Sequence, residues 1–403
     1  MRKISANFIY TPERGFIKNG ILRVDKDGRI ISLTDPGRKL KEEAGMEHYN
    51  GIICPGFINA HCHLELSHMK GQIPEHIGLD NFLYAVITGR GYDDETVQNG
   101  IRQGDEEMQR EGIVAVGDIS NKADSFYVKS SGKIYYHTFV EIFNMQNDQA
   151  GITFDNGLKL LETAKKEYNL PASLVPHASY SVSEELFRLF RERMNTEENL
   201  LSIHNLETEY ENLFISKRKG NLLDVFEKAG LEKGDSKARK MNSMPWLTKV
   251  IPPRSPLLLV HNIYLTARDI EDSEIDKENT WFCLCPNSNL YIANILPGPY
   301  LMKSFPGKVC IGTDSLSSNH RLSILSELIT LDKYYPGTGL ANLLKFATIN
   351  GAQMLGIDDR AGSFEPGKRP GINLIRNVNL QEMKLNSDSF VHPLTAPPET
   401  LKP

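Results

Sequence analysis

The chain has 403 residues, 40% of them hydrophobic and 24% charged, with a formal net charge of -5. That length suits one large α/β domain or two smaller ones, and the acidic balance removes any electrostatic case for binding nucleic acid. No apolar run approaches the ~20 residues of a membrane span, and residues 1–10 lack the apolar centre of a signal peptide.

The N-terminal segment reads as short strands at 3–10, 20–24 and 30–33, separated by turns such as Lys26-Asp27-Gly28. Eight apolar, β-branched runs follow, at 52–60, 113–119, 134–142, 172–177, 200–204, 257–261, 281–285 and 308–313. Amphipathic stretches at 94–111, 154–168 and 183–194 lie between them, and another at 340–355 follows the last. Strands that are apolar throughout and alternate with helices imply a parallel sheet buried on both faces. Eight such units over about 300 residues fit a (β/α)₈ TIM barrel better than an open sheet. A Gly-Pro turn at 362–368 then leads into a strand at 372–375. The expected organisation is a barrel of residues 55–361, flanked by a small β-sandwich domain made from residues 1–54 and 362–403. The tail after Phe390 is expected to be extended.

Cys54, Cys62, Cys283, Cys285 and Cys310 are scattered through apolar runs. They are expected as reduced core thiols of a cytoplasmic protein, not as a disulfide framework. The basic runs 217–219 and 237–240 are flanked by acids and read as solvated helix faces.

Residues 55–63 read Pro-Gly-Phe-Ile-Asn-Ala-His-Cys-His. Side chains at i and i+2 share a strand face, so His61 and His63 present two imidazoles side by side, half of a metal site. Alone, the pair suits a strand end with two partly exposed histidines equally well. In a barrel of this kind, however, catalytic groups come from the strand C-termini. Those ends carry His61 and His63, His177, His204 with Glu207 just beyond, His261 and Asp314, so five of the 11 histidines fall there. Each has a plainer reading by itself. A lone histidine is more often a hydrogen-bonded structural residue, Asp314 suits an N-cap, and Glu207 suits the start of a helix. Those readings do not explain the convergence on one rim. Three imidazoles and a carboxylate suit Zn²⁺ or another borderline divalent ion with a position open for water. Binding lowers the pKa of that water from 15.7 to about 7, and a carboxylate three residues past a ligand can move protons between water and substrate.

The segments PGFINAHCHLELSHMKG (55–71), VPHASYSVS (175–183), SIHNLETEYE (202–211), LVHNIYL (259–265), CPNSNLYIAN (285–294) and IGTDSLSSN (311–319) resemble the amidohydrolase superfamily. ATINGAQMLGI (347–357) and GSFEPGK (362–368) extend the likeness towards residue 375. Within it the chain is similar to the branch holding adenosine-type, aminodeoxyfutalosine, methylthioadenosine/S-adenosylhomocysteine and guanine deaminases and the triazine chlorohydrolases. The resemblance implies His61, His63, His204 and Asp314 as metal ligands and His261 as the residue that orients the hydrolytic water. It implies Glu207 as proton shuttle to a ring nitrogen and the leaving group, and His177 as a substrate contact. Binuclear relatives place a carboxylated lysine at the end of strand 4. Here Pro176-His177-Ala178 stands there, so one metal is expected, Zn²⁺ first, with Fe²⁺ and Mn²⁺ not separated by these ligands. Two departures are Thr313-Asp314-Ser315, where relatives often read Thr-Asp-Gly, and Pro370-Gly371-Ile372 in place of the usual Ala-Asp-Leu.

The expected activity is deamination of an amino-substituted heteroaromatic ring, an adenine-type nucleoside or related metabolite, by metal-activated hydroxide. Asp314 and His261 take the water proton, and Glu207 protonates the ring. Loss of chloride or opening of a cyclic amide at the same metal stays open, as does a non-catalytic barrel used as a scaffold. His63-Leu64-Glu65 matches the His-x-Glu fragment of cytidine-type deaminases, but the Pro-Cys-x-x-Cys they require is missing. Residues 79–90, LDNFLYAVITGR, resemble the segment that covers the pocket in aminodeoxyfutalosine deaminases, which with Ser-Ser-Asn at 317–319 favours an adenine-bearing substrate. Arg90 is a candidate partner for a substrate carboxylate and Glu65 a candidate pocket residue, although both also suit a helix. The expected partner is a small molecule, with no nucleic acid and no membrane; a homodimer is compatible with this reading.

Overall fold

The computed structural model describes residues 1–37, 42–89, 91–194, 199–231 and 237–395. Four strands open the chain: β1 (Arg2–Thr11), β2 (Gly15–Lys18), β3 (Ile21–Val24) and β4 (Ile30–Thr34). The run 52–60, expected as one strand, is two: β5 (Met46–Pro55) and β6 (Phe57–Cys62). Gly56 makes the break. A Cβ there would lie 2.4 Å from Val114 Cγ1 and 2.6 Å from the Pro370 carbonyl, so only glycine lets the chain cross between the two sheets.

The central strands are β6, β7 (Ile113–Ser120), β8 (Tyr135–Ile142), β9 (Ala172–Pro176), β10 (Leu201–Asn205), β11 (Leu257–His261), β12 (Thr280–Leu284) and β13 (Val309–Ile311). They form two four-stranded sheets, β6-β7-β8-β9 and β10-β11-β12-β13, parallel throughout. Their side chains are buried on both faces, apart from partly exposed His137, which is why the sequence runs apolar instead of alternating. Single parallel bridges, Ala178 to His204 and Cys62 to Asp314, bring the outer edges of the two sheets together. At the second of these the Asn59 amide donates to Thr313 Oγ1 at 2.7 Å and accepts from the Thr313 N–H at 3.0 Å.

The strands β14 (Ile372–Asn379) and β15 (Lys384–Pro393) return to the N-terminal part. A sandwich of facing sheets was expected there, but the strands of both termini share one seven-stranded sheet, because β14 pairs edge to edge with β5. Ile4, Ile9, Leu22, Ile53 and Leu374 form a core of their own beneath it. The expected tail beyond Phe390 continues β15 as far as Pro393, and residues from 396 lie outside the described ones.

The expected helices at 94–111 and 183–194 are seen at Asp94–Arg110 and Glu184–Arg193, each capped by the preceding residue, Asp93 or Ser183. The stretch 340–355 is two helices, Leu340–Phe346 and Ile349–Met354. All five cysteines are buried and unpaired. Among the described residues no helix is long and apolar enough to cross a membrane.

One buried ion pair braces the rim. Lys129 Nζ lies 2.5 Å from Asp118 Oδ2, with neither side chain exposed. Asp118 Oδ1 accepts from the Leu64 N–H at 2.8 Å, which fixes the turn straight after His63. Removing one member of such a pair leaves an uncompensated buried charge. Lys129→Met is therefore expected to lower the unfolding free energy by about 3–5 kcal/mol in urea titrations, and adding Asp118→Asn should restore part of it. A loss close to zero in the single variant would contradict this role.

Candidate active site

The ends of β6 and β10 bring His61, His63 and His204 together, all three buried. His63 Nε2 lies 3.1 Å from His61 Nε2 and 3.2 Å from His204 Nε2. Nitrogens bound at 2.0–2.1 Å to a tetrahedral ion lie about 3.3 Å apart, so this spacing fits a metal at their centre. Burial, reinforced in His61 and His204 by repulsion from neighbouring rings, lowers the pKa of all three imidazoles. They are therefore neutral, the form that binds metals. His204 Nδ1 donates to the His177 carbonyl at 3.1 Å, which leaves Nε2 as its ligand atom.

Asp314 stands beside this trio. Its Oδ1 lies 3.5 Å from His63 Nε2 and 3.8 Å from His61 Nε2. Its Oδ2 accepts from Ser288 Oγ at 2.6 Å and Ser318 Oγ at 2.7 Å. Burial opposes its charge, but His63, His261, His61 and the Ser288 hydroxyl hold its pKa down at about 2. Gly312 allows this approach, since a Cβ there would meet His61 Cβ and the His61 carbonyl, each at 2.8 Å.

His261 ends β11. Its Nδ1 lies 2.9 Å from Asn289 Oδ1 and so donates to that amide oxygen, while its Nε2 lies 3.6 Å from Glu207 Oε1. Burial pushes the Glu207 pKa up to about 7; His261 pulls it down, and Asp314 and Glu211 push it up. Such a carboxyl can hold and release a proton near neutral pH. Asp314, His261 and Leu206, the residue before Glu207, all have left-handed backbone, with φ of 57°, 70° and 46°. Strain of this kind persists only where the surroundings over-determine it.

A cavity of about 240 Å³ opens onto these groups. His63, His177, His204, Glu207, His261 and Asp314 face it on one side. Leu79, Phe82, Leu83, Val86 and Ile87, all from the helix Gly78–Thr88, line it together with Phe226 and Leu231. His177 stacks on His204 with ring centroids 4.5 Å apart, and its Nδ1 lies 2.7 Å from Ser181 Oγ. Glu65 is placed differently. Its carboxylate accepts from the Asn121 and Lys122 N–H groups at 3.0 and 3.3 Å, and it is not among the lining residues. It shapes the loop that brings Asn121 to the cavity wall. Arg90 lies outside the described residues.

Three residues escaped the sequence reading. Glu141, near the end of β8, lines the cavity and forms a second trio within ligand reach, with His177 and His204. A search of strand ends for carboxylates as well as histidines would have found it. Ser288 and Asn289 stand in the CPNSN segment, but their partners Asp314 and His261 lie 26 and 28 residues away.

The amidohydrolase family profile matches residues 52–392. This chain belongs to the amidohydrolase family. It is 26% identical over 332 residues to the adenosine deaminase of Helicobacter pylori, covering 81% of this chain and 79% of that protein. It superimposes on the crystal structure of Helicobacter pylori aminofutalosine deaminase in complex with methylthio-coformycin with a TM-score of 0.77 at 21% identity, covering 96% and 94% of the two chains. Atrazine chlorohydrolase from Arthrobacter aurescens TC1, complexed with zinc, gives a TM-score of 0.71 at 16% identity, covering 100% and 98%. The fold is the TIM-barrel-type α/β fold of these enzymes.

Two measurements probe the site. Replacing one of the histidine trio, as in His204→Ala, is expected to weaken metal binding by more than the ~10–100-fold typical of outer-sphere changes, read by competition with a chromophoric chelator. The second concerns pH. Between the ordinary 4.5 and about 7, native Glu207 keeps a proton that the unfolded chain has released, so its contribution to stability falls as pH rises across that window. In metal-free protein, the stability of Glu207→Gln relative to wild type should therefore grow between about pH 5 and pH 8. A gap that stays constant would place Glu207 at an ordinary carboxylate pKa.

Proposed function

We propose that this chain is a metal-dependent aminohydrolase that deaminates an adenine-type nucleoside or a related metabolite. The observation that carries this reading is Glu207, a buried carboxyl poised at about 7 on the cavity wall, 3.6 Å from His261 and beside the histidine trio. A hydrolysis that expels an amine from an aromatic ring needs a proton donor at the ring nitrogen and again at the departing nitrogen. Glu207 suits both tasks.

In this reading His61, His63, His204 and Asp314 hold a single divalent ion, Zn²⁺ first. When bound, the ion supplies an acidified water and Lewis-acid polarisation. His261 faces the cavity through Nε2 because Asn289 engages its Nδ1, so it orients the water and shares its proton with Asp314. Glu207 enters protonated and gives its proton to the ring nitrogen beside the amine-bearing carbon. The ionised carboxylate then takes up one proton released by the attacking water and passes it to the amine, which departs as ammonia, and the water's second proton restores Glu207. His177 contacts the substrate. The apolar wall from the helix Gly78–Thr88 covers the ring and excludes bulk water.

Leu79, Phe82, Leu83, Val86, Ile87, Phe226 and Leu231 in the lining support an apolar group on the substrate. We further read the eight strands β6 to β13 as one closed barrel spanning 55–361, with 1–54 and 362–403 as the flanking β domain. The buried, unpaired thiols suit a cytoplasmic setting.

A screen of aminopurines, adenine nucleosides and pterins for ammonia release tests the reading. 5′-Alkylthio nucleosides are expected to give a higher kcat/KM than carboxylated ones. Glu207→Gln should keep its metal and lose at least the ~10²–10⁴-fold typical of general acid–base catalysis. Chloride release from halotriazines without ammonia release from any amine would replace this function with dechlorination.

A further inference from the structure

We propose that Glu327 is a positioning residue for the hydrolytic site, setting Asp314 and His261 together by gripping the two segments that hold them. The proposal rests on the metal-dependent hydrolytic reading above.

Glu327 lies in the helix Ile324–Tyr334, fully buried, and has no part in the proton transfers described. Its carboxylate accepts from the Asn287 N–H at 2.8 Å, from Asn287 Nδ2 at 3.0 Å and from Asn319 Nδ2 at 2.8 Å. Burial pushes the Glu327 pKa up to about 8 and these donors pull it down; the bonds are strongest when the carboxyl is ionised. Three of them converge here from two separate parts of the chain.

Asn287 belongs to the first turn of the helix Pro286–Ala293. The next two residues are the partners of the site, Ser288 on Asp314 Oδ2 and Asn289 on His261 Nδ1. Asn319 closes the loop that begins at the end of β13, and its Nδ2 also donates to the Thr313 carbonyl at 2.8 Å. That loop carries Asp314 itself and Ser318, the second donor to Oδ2. One carboxylate therefore fixes the distance between the turn that holds Asp314 and His261 from outside and the loop from which Asp314 projects.

Asp314 and His261 are the site groups most in need of such support, because both sit in left-handed backbone. A role limited to capping the helix Pro286–Ala293 would explain the bond from the Asn287 N–H. It would not explain the bond from Asn319, which lies in another segment. The shared carboxylate ties the ligand and the water-orienting histidine to one anchor.

Glu327→Gln keeps the side-chain volume but leaves one acceptor oxygen facing three donors. Its affinity for Zn²⁺, measured by chelator competition, is expected to fall by about 10–100-fold, the range for outer-sphere partners of metal ligands. At saturating Zn²⁺ kcat should fall while KM changes little. The control is Asp332→Asn, on the same helix, where Asp332 accepts from the Leu385 N–H far from the site. It should cost comparable thermal stability and leave Zn²⁺ affinity and kcat as in wild type. If Glu327→Gln does not fold, Asn319→Ala removes a single arm and should give a smaller change in the same direction. Wild-type Zn²⁺ affinity in whichever of these variants folds would overturn the proposal. A wild-type enzyme that binds Zn²⁺ but deaminates nothing would overturn the functional reading instead, and the affinity measurement would still decide the role of Glu327.

Discussion

Three neutral imidazoles held away from water, with His63 Nε2 3.1 Å from His61 Nε2 and 3.2 Å from His204 Nε2, are the constraint around which this molecule is arranged. Their lone pairs repel, and burial denies them the solvent that would relieve it. Something else in the fold must hold them there until a cation binds. The work is divided between covalent geometry and buried polar contacts. Gly56 and Gly312 let backbone pass where no Cβ would fit, and Gly312 does so directly against His61. Asn59 ties the first central strand to Thr313 at the end of the last, which brings Asp314 up to the trio.

The polar contacts just outside the site form two supports of different kinds. Beneath His63 stands a true ion pair, Asp118 with Lys129, reaching the ligand turn through the Leu64 N–H. Beneath Asp314 and His261 the described residues include no such cation; Glu327, three asparagines and two serines provide hydrogen bonds. An ion pair tolerates small displacements better than a set of directional bonds does. The second support is thus the more exacting of the two, and it holds the residues with strained backbone.

The cavity shows a matching division. Its lining combines titratable groups at the strand ends with leucines, phenylalanines, Val86 and Ile87. An apolar cover strengthens every electrostatic interaction beneath it. The same dryness raises Glu207 to about 7, while the facing histidines and the Ser288 hydroxyl hold Asp314 near 2. Two carboxyls in one site are thereby held at widely separated pKa values.

Much of this was legible in the sequence. Unbroken apolar runs marked the eight central strands because both faces are buried, and the histidines at their ends marked the rim. Local chemistry of that kind is carried by residue type and spacing alone. The sequence did not divide 52–60 at Gly56, because the clash that requires glycine comes from Val114 and Pro370. It left Glu65 open between a pocket residue and a helix start; the residue lies in the short helix Leu64–Met69, and its carboxylate found backbone N–H groups 56 and 57 residues away. It also passed over Ser288, Asn289 and Glu327, which have no distinctive local pattern. By itself, then, the sequence determined which elements form and which side chains could bind a metal, since those depend on periodicity and ligand chemistry. Only the tertiary structure decided which carboxylates face the cavity and which hold up its walls, because that depends on contacts between segments far apart in the chain.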